Sequence, residues 1–234
     1  INIISSMIAK KLGAKHTIAR VRKPKYSSHN EMIRKSLGID MMINPEMESG
    51  RLIAQGLGFP EAISIEQFEH GRVPMVELII KKGSSLAGTT LINFRKQYAD
   101  VLICALTRDQ HTLIPTGDTV LCEGDHVYVT GSKENINRFY EKSGYEMERI
   151  KTLLVIGGGR VTYNLLRFLR KVDLDIKVIE IDRTKAENLS HDFPNAIIIH
   201  GDGTDQTLLD EERIQNFDAV VSMTGIDEEN ILRC

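Results

Sequence analysis

Gly157-Gly158-Gly159-Arg160-Val161-Thr162 follows the apolar run Leu153-Leu154-Val155-Ile156 without a break. The spacing is that of a dinucleotide-binding turn, G-x-G-x-x-G, with Thr162 at the third glycine position. In such a turn the first glycine permits the tight bend. The second lets phosphates approach the backbone, and the third brings helix and strand together. The helix that follows aims free N–H groups and a positive dipole end at a diphosphate. Thr162 departs from the pattern. Its branched side chain either pushes helix and strand apart or turns its hydroxyl back onto the preceding turn. Glu180 stands 23 residues after Gly157, and Asp182 two further on. An acid at about this distance accepts the ribose hydroxyls, and Glu180, at a strand end, is the better candidate. Both acids repel a 2′-phosphate and favour NAD or an adenine nucleotide over NADP. Arg183 argues the other way, because an arginine there accommodates such a phosphate. The bland alternative is a glycine turn kept for packing, with surface acids beside it.

Two further segments fall at the same sheet edge. His200-Gly201-Asp202-Gly203-Thr204-Asp205 and Thr224-Gly225 each follow a strand, and ligands of open α/β sheets sit along the carboxyl ends of strands. Asp202 is placed to accept from an adenine amino group and Thr224 to reach a phosphate. Taken singly, each also fits an ordinary turn or helix cap. Enzyme chemistry is not legible beside them. His70, His111 and His126 form no metal spacing with each other or with the cysteines, and His29, His191 and His200 are scattered. Ser5-Ser6 and Ser84-Ser85 lack the context of a nucleophile elbow. The residues offer nucleotide binding without catalytic or metal-ligating groups.

The elements that must position these groups follow from periodicity. Residues 151–223 read as βαβαβαβ: strands at 153–156, 176–181, 196–199 and 219–223, helices at 160–172, 184–191 and 206–213. Right-handed crossovers then give an open, doubly wound parallel sheet. Helix 160–172 carries Val161, Leu165, Phe168, Leu169 and Val172 on one side. Residues 1–68 read as the second half of a similar α/β domain. A helix carries Ile4, Ile8 and Leu12, strands lie at 17–22 (ended by Pro24) and 41–43, and a short helix spans 31–37. Asn44-Pro45-Glu46 opens a last helix that runs to Gly56/Gly58 and Pro60. The texture changes near Gly71. Strands at 76–81, 101–106 and 126–130, a turn or two of helix at 91–98 and a helix from Ser132 to Lys142 describe a small α+β domain of about 75 residues. Residues 143–149 read as a linker. The expected architecture is α/β and Rossmann-like, with a small α+β domain (69–146) between a partial nucleotide-binding half (1–68) and a nearly complete one (147–234).

Composition narrows the classes. The chain has 234 residues, 41% hydrophobic and 26% charged, with a formal charge of −2. A disordered chain would carry fewer aliphatics and a larger net charge. No apolar run approaches the ~20 residues of a bilayer-spanning helix. Balanced charge without a basic stripe argues against bulk nucleic-acid binding. Cys104, Cys122 and Cys234 show no CxxC spacing, which reads as free thiols in a reducing compartment. The ends match one another. Asn2-Ile3-Ile4 resembles Asn230-Ile231-Leu232, and acidic Asp227, Glu228 and Glu229 mark a helix start there. A 228-residue spacing between the two triplets reads as a window onto a tandem repeat; unrelated helix ends are the other reading.

Gly157-Gly158-Gly159-Arg160-Val161, Val178-Ile179-Glu180-Ile181-Asp182-Arg183, Gly201-Asp202-Gly203-Thr204-Asp205 and Thr224-x-x-Asp227-Glu228-x-Asn230 together resemble the nucleotide-binding domain of the TrkA family. These are regulatory subunits of Trk potassium uptake systems, and the same unit is called RCK or KTN in potassium channels. Asn2-Ile3-Ile4, Thr17-Ile18-Ala19-Arg20-Val21-Arg22 and Ile43-Asn44-Pro45-Glu46 are similar to the end of a preceding copy, and residues 73–142 to the family's small ligand-binding domain. The resemblance implies a non-enzymatic regulator that binds NAD(H) or ATP/ADP. It implies homo-oligomeric rings at the cytoplasmic face of the plasma membrane, beneath a membrane-embedded, TrkH-like potassium-translocating subunit. By carry-over, Gly157, Gly158, Gly159, Arg160 and Val161 hold the diphosphate, Glu180 the adenosine ribose with Asp182 nearby, Asp202, Gly203 and Thr204 border the adenine, and Thr224 lies near the phosphates. Ile4, Met7 and Ile8 are either ring contacts or ordinary core. Two rivals stay open: a fragment of an NAD-dependent oxidoreductase with an inserted small domain, and an interaction module whose small domain binds another ligand such as a cyclic dinucleotide.

Overall fold

A computed structural model describes residues 1–22, 30–59, 62–68, 73–145 and 150–225. Pro24, His29, Pro60, His70, Gly71, residues 146–149 of the expected linker, and the acidic helix start with Asn230 and Cys234 lie outside them. The chain forms two compact units. One joins Ile1–Ala54 to the segment that begins at Lys151; the other is Gln55–Ile150.

The first unit contains the expected parallel sheet. β8 (Thr152–Ile156), β9 (Asp175–Glu180), β10 (Ala196–His200) and β11 (Ala219–Ser222) stand in the order β10-β9-β8-β11, all parallel. Strand order reverses at β8, which has β9 on one side and β11 on the other. That places a crevice at the strands' carboxyl ends. Leu153, Leu154 and Val155 are wholly buried, because helices cover both faces of a parallel sheet. The connecting helices are α6 (Arg160–Leu169), α7 (Arg183–Asp192) and α8 (Gln206–Glu211). Two endings differ from the sequence reading. α6 stops at Leu169, and Phe168 and Val172, expected on its packed side, are exposed. α8 stops at Glu211; Arg213 takes a left-handed conformation (φ 53°) and a 3-10 turn, Ile214–Asn216, follows.

The same unit holds α1 (Asn2–Lys11), β1 (Ile18–Arg20), α2 (Asn30–Leu37), β2 (Met41–Ile43) and α3 (Pro45–Gly56). β1 and β2 pair in parallel, with Ala19 opposite Met42. Ala19, Val21, Ile39 and Met42 form a small core covered by Ile3, Met7 and Leu37. Met7 is therefore core, whereas Ile4 and Ile8 face outward. Asp40 ties this part together: it accepts from Lys10 Nζ at 2.9 Å and from the Thr17 amide at 2.7 Å. Those bonds hold its pKa down at about 2. Asn44 accepts from the Met47 amide at 3.1 Å, so α3 starts as its Asn-Pro-Glu opening demands.

The second unit is an antiparallel sheet, β3-β4-β7-β5-β6, built from β3 (Ser64–Phe68), β4 (Val73–Ile79), β5 (Val101–Arg108), β6 (His111–Leu113) and β7 (His126–Gly131). β3 and β6 are the two edge strands, and sequence periodicity did not reveal them. All of β6 is exposed, so it carries no alternation, and its hairpin turns through Asp109 and Gln110, two non-glycine residues at positive φ. α4 (Leu91–Gln97) and α5 (Lys133–Ser143) supply Phe94, Phe139 and Tyr140 to a core with Val76, Leu78, Val127 and Val129. Ser132 and Gly144 cap α5 at its two ends.

Candidate functional site

The glycine turn is fixed by what surrounds it. Gly157 has φ +102°, and a Cβ there would stand 2.5 Å from the Met223 carbonyl oxygen, where the chain leaves β11. Only glycine fits both demands. Its amide donates to Ile179 O at 2.8 Å, which locks the turn onto the end of β9. A Cβ on Gly158 would meet Leu189 and Glu180. Gly159 differs: it is extended, it begins α6, and nothing lies within 4 Å of its Cβ position. No side chain caps α6. Its first amides and its dipole therefore face open space, which is the arrangement an anion requires.

Glu180 ends β9 beside this turn and is 5% exposed. One of its oxygens accepts from the Gly158 amide and the other from the Asp182 amide at 2.7 Å. Thr162 is fully buried, and its hydroxyl donates to Gly157 O. Of the two outcomes open for this departure from the glycine pattern, the bond back to the turn is the one adopted. Asp202 accepts from the Thr204 amide at 2.8 Å and the Thr204 hydroxyl at 2.7 Å, shaping the loop after β10.

These groups converge on a cleft of about 990 Å³, at the upper end of the range for small-molecule sites. Gly157, Gly158, Gly159, Arg160, Val161, Glu180, Asp202, Gly203, Thr204 and Thr224 line it. Asp182 does not; its carboxylate caps α7, accepting from the Lys185 amide at 3.1 Å. That bond, with Lys185 nearby, lowers its pKa. Arg183 is also outside the lining, paired with Glu187 at 2.9 Å on the solvent side of α7. Lys185, on the same helix, does line the cleft.

Not every charged lining residue had a site role in the sequence reading. Glu46, in the first turn of α3, borders the cleft. It lies 2.7 Å from Arg20, 3.6 Å from Arg22 and 4.0 Å from Arg160, and its second oxygen is buried without a hydrogen bond. Burial pushes its pKa up, but hydrogen bonds from its own backbone and Arg20, with the Arg20 and Arg22 charges, outweigh that and leave it lowered. The sequence signal was present only as an Asn-Pro-Glu helix start. Its approach to Arg160, 114 residues away, comes from tertiary packing. Among the described residues no cluster of three or more His, Cys, Asp or Glu side chains is arranged to hold a metal ion. Cys104 and Cys122 are free thiols.

Comparison with known proteins adds names to this geometry. Residues 153–234 match the TrkA-N domain and residues 75–144 the TrkA-C domain. The Trk system potassium uptake protein trkA homolog 1 of Methanosarcina mazei is 34% identical over 241 residues, which cover 99% of this chain and 59% of the relative. The Trk system potassium uptake protein TrkA of Vibrio alginolyticus is 28% identical over 219 residues, 92% of this chain and 48% of the relative. The chain thus spans only about half the length of these curated relatives. Among solved structures, the GsuK channel superimposes with a TM-score of 0.64 at 20% identity, covering 99% of this chain and 40% of that one. The GsuK channel bound to NAD gives 0.61 at 21% identity, with the same coverage. At that identity the likeness establishes a shared α/β fold.

Proposed function

The chain carries a TrkA-C domain followed by a TrkA-N domain, and on that premise we propose that it works as a nucleotide-sensing, non-enzymatic regulatory subunit of a potassium uptake system. The observation that carries this reading is the uncapped start of α6, open at Gly159, beside the buried Glu180 carboxylate in one cleft. A diphosphate would sit on the amides of Gly159, Arg160 and Val161, with the Arg160 guanidinium free to turn from Glu46 toward it. Glu180 engages two backbone donors and, as a carboxylate, keeps acceptor capacity for a ribose hydroxyl. Asp202, Gly203 and Thr204 would border the adenine, and Thr224 the phosphates. With the Glu180 carboxylate beside the ribose and Arg183 paired with Glu187 outside the cleft, NAD(H) or ATP/ADP fits better than a 2′-phosphorylated nucleotide.

Regulation requires that the nucleotide bind two arrangements of the assembly with different affinity. We place that assembly in a homo-oligomeric ring at the cytoplasmic face of the membrane, on a membrane-embedded, TrkH-like potassium-translocating partner. What supports the link to potassium transport is that the relatives are named Trk system potassium uptake proteins. Among the described residues no helix is long and apolar enough to cross a membrane.

Calorimetric titration with NAD, NADH, ATP and ADP tests the reading, together with mass spectrometry of any copurifying nucleotide. Saturable binding of at least one is expected. Absence of binding by all four overturns it. Reproducible nicotinamide turnover on small alcohols, acids or aldehydes would instead favour the oxidoreductase alternative.

A further inference from the structure

The peptide that joins Gly157 to Gly158 is held from both sides. Its carbonyl oxygen accepts from the Thr162 hydroxyl, and its N–H donates to the Glu180 carboxylate. Glycine on each side gives this peptide unusual freedom to rotate. A rotation by half a turn would exchange the directions of the carbonyl and the N–H. The carbonyl dipole would then confront Glu180 and the cleft, where it repels an anion. With Thr162 in place that rotation breaks two hydrogen bonds, one of them to a charged acceptor. Thr162 itself is fully buried and does not line the cleft, so it touches no ligand.

We propose that Thr162 is a positioning residue: with Glu180 it clamps the Gly157–Gly158 peptide in the orientation that suits diphosphate recognition. The proposal rests on the nucleotide reading above for its ligand, but the clamp exists in the free protein. At the position where the dinucleotide pattern has its third glycine, this chain thus substitutes a hydroxyl that stiffens a run of three glycines. The consequence for the ligand is preorganisation: the turn does not have to be ordered at the moment of binding.

The test uses Thr162→Val, which keeps the shape and removes the donor, Thr162→Ser, which keeps the donor, and Thr162→Gly, which restores the pattern. Amide hydrogen exchange at Gly158 is measured without ligand, and calorimetry compares ADP with adenosine, which lacks phosphate. Loss of one neutral hydrogen bond predicts exchange roughly three- to tenfold faster in Thr162→Val and Thr162→Gly, and ADP affinity lower by a similar factor. Adenosine affinity should change less than about twofold, and Thr162→Ser should match the parent within the same margin. Unchanged Gly158 exchange in both Thr162→Val and Thr162→Gly overturns the clamp. Equal losses for ADP and adenosine overturn the positioning role. Should the parent bind neither ligand, the nucleotide reading fails, while the exchange measurement still decides whether the clamp exists.

Discussion

Gly50 lies so close to Leu165 that a Cβ built on it would stand 2.8 Å from the Leu165 amide nitrogen. The same Cβ would be 3.0 Å from the Val161 carbonyl oxygen and 3.1 Å from Asn164 Cβ. α3 therefore crosses the first turns of α6 backbone to backbone. One turn before the crossing is Glu46; at the start of α6 is Arg160. The crossing is what brings a carboxylate from the chain's first sixty residues to the lining of the cleft.

Gly50→Ala is predicted to destabilise the first unit. Two effects oppose each other. Alanine favours a helix over glycine by about 1 kcal/mol. Overpacking costs about 1–3 kcal/mol, and the clashing atoms here include backbone that cannot swing aside. Steric cost should win. Urea denaturation followed by circular dichroism reads the result, and a variant as stable as the parent would show that α3 does not pack on α6 this tightly.

Gly157 and Gly159 should respond in opposite ways although they are two residues apart. Gly157→Ala faces a left-handed φ, worth about 1–2 kcal/mol, and a collision with the Met223 carbonyl; it should lower the melting temperature. Gly159→Asp meets open space on an extended backbone, so the fold should keep its melting temperature to within a few degrees. Its carboxylate would stand against the phosphates, and NAD or ATP binding should be lost. Calorimetry showing unchanged affinity in Gly159→Asp would contradict the placement of the diphosphate.

The parallel sheet around β8 was legible because each strand is an apolar run and each helix a 3.6-residue pattern, and local spacing alone carries both. The converging lining residues were legible for the same reason, since strand carboxyl ends share one edge. β3 and β6 were not, because edge strands need no alternation and the turn at Asp109-Gln110 lacks the glycine that marks a two-residue hairpin. Glu46 was read only as a helix-start acid, since its place at the cleft depends on Gly50 meeting α6 across 115 residues of sequence. Asp182 could not be separated from Glu180 by distance along the chain. Only the strand end decides which carboxylate turns inward and which caps α7. Thr162 left two outcomes open, and the choice depended on where the Gly157 carbonyl points.

Asp125 gives the second unit a pH dependence of known sign. Its carboxylate is 1% exposed and accepts from Arg108 Nε and Nη2 at 2.6 Å and from the Cys122 amide at 2.7 Å. Burial pushes its pKa up, but the Arg108 and Cys122 hydrogen bonds and the Arg108 charge outweigh burial, so the pKa is lowered. A carboxylate lowered on folding stabilises fully above its unfolded pKa, about 3.9, and that contribution is lost as pH falls through the folded value. The stability difference between the parent and Asp125→Asn should be level from pH 7 to about 5 and shrink below about 4. At neutral pH it should be about 1–3 kcal/mol, discounted because Arg108 is partly solvated. Urea midpoints across that range test it; a difference that grows on acidification would reverse the sign assigned to the pair.

Glu180 has two tasks that substitution can separate. It satisfies the Gly158 and Asp182 amides, and in the functional reading it also accepts from a ribose. Glu180→Ala leaves both amides without their acceptor near the buried end of β9. An unsatisfied buried donor costs about 1–3 kcal/mol, and water admitted by the smaller side chain offsets part of that. Glu180→Gln keeps one carbonyl oxygen and should recover part of the stability. It should not recover binding in full, because its NH₂ replaces an acceptor and a neutral acceptor holds a hydroxyl less tightly than a carboxylate. Nucleotide affinity is therefore predicted to fall by roughly 1.5–3 kcal/mol in Glu180→Ala, with Glu180→Gln intermediate. Calorimetry on both variants beside their urea midpoints separates the tasks. If Glu180→Gln restored stability and affinity together, the carboxylate would be serving the turn alone, and the ribose would have to find its acceptor elsewhere in the cleft.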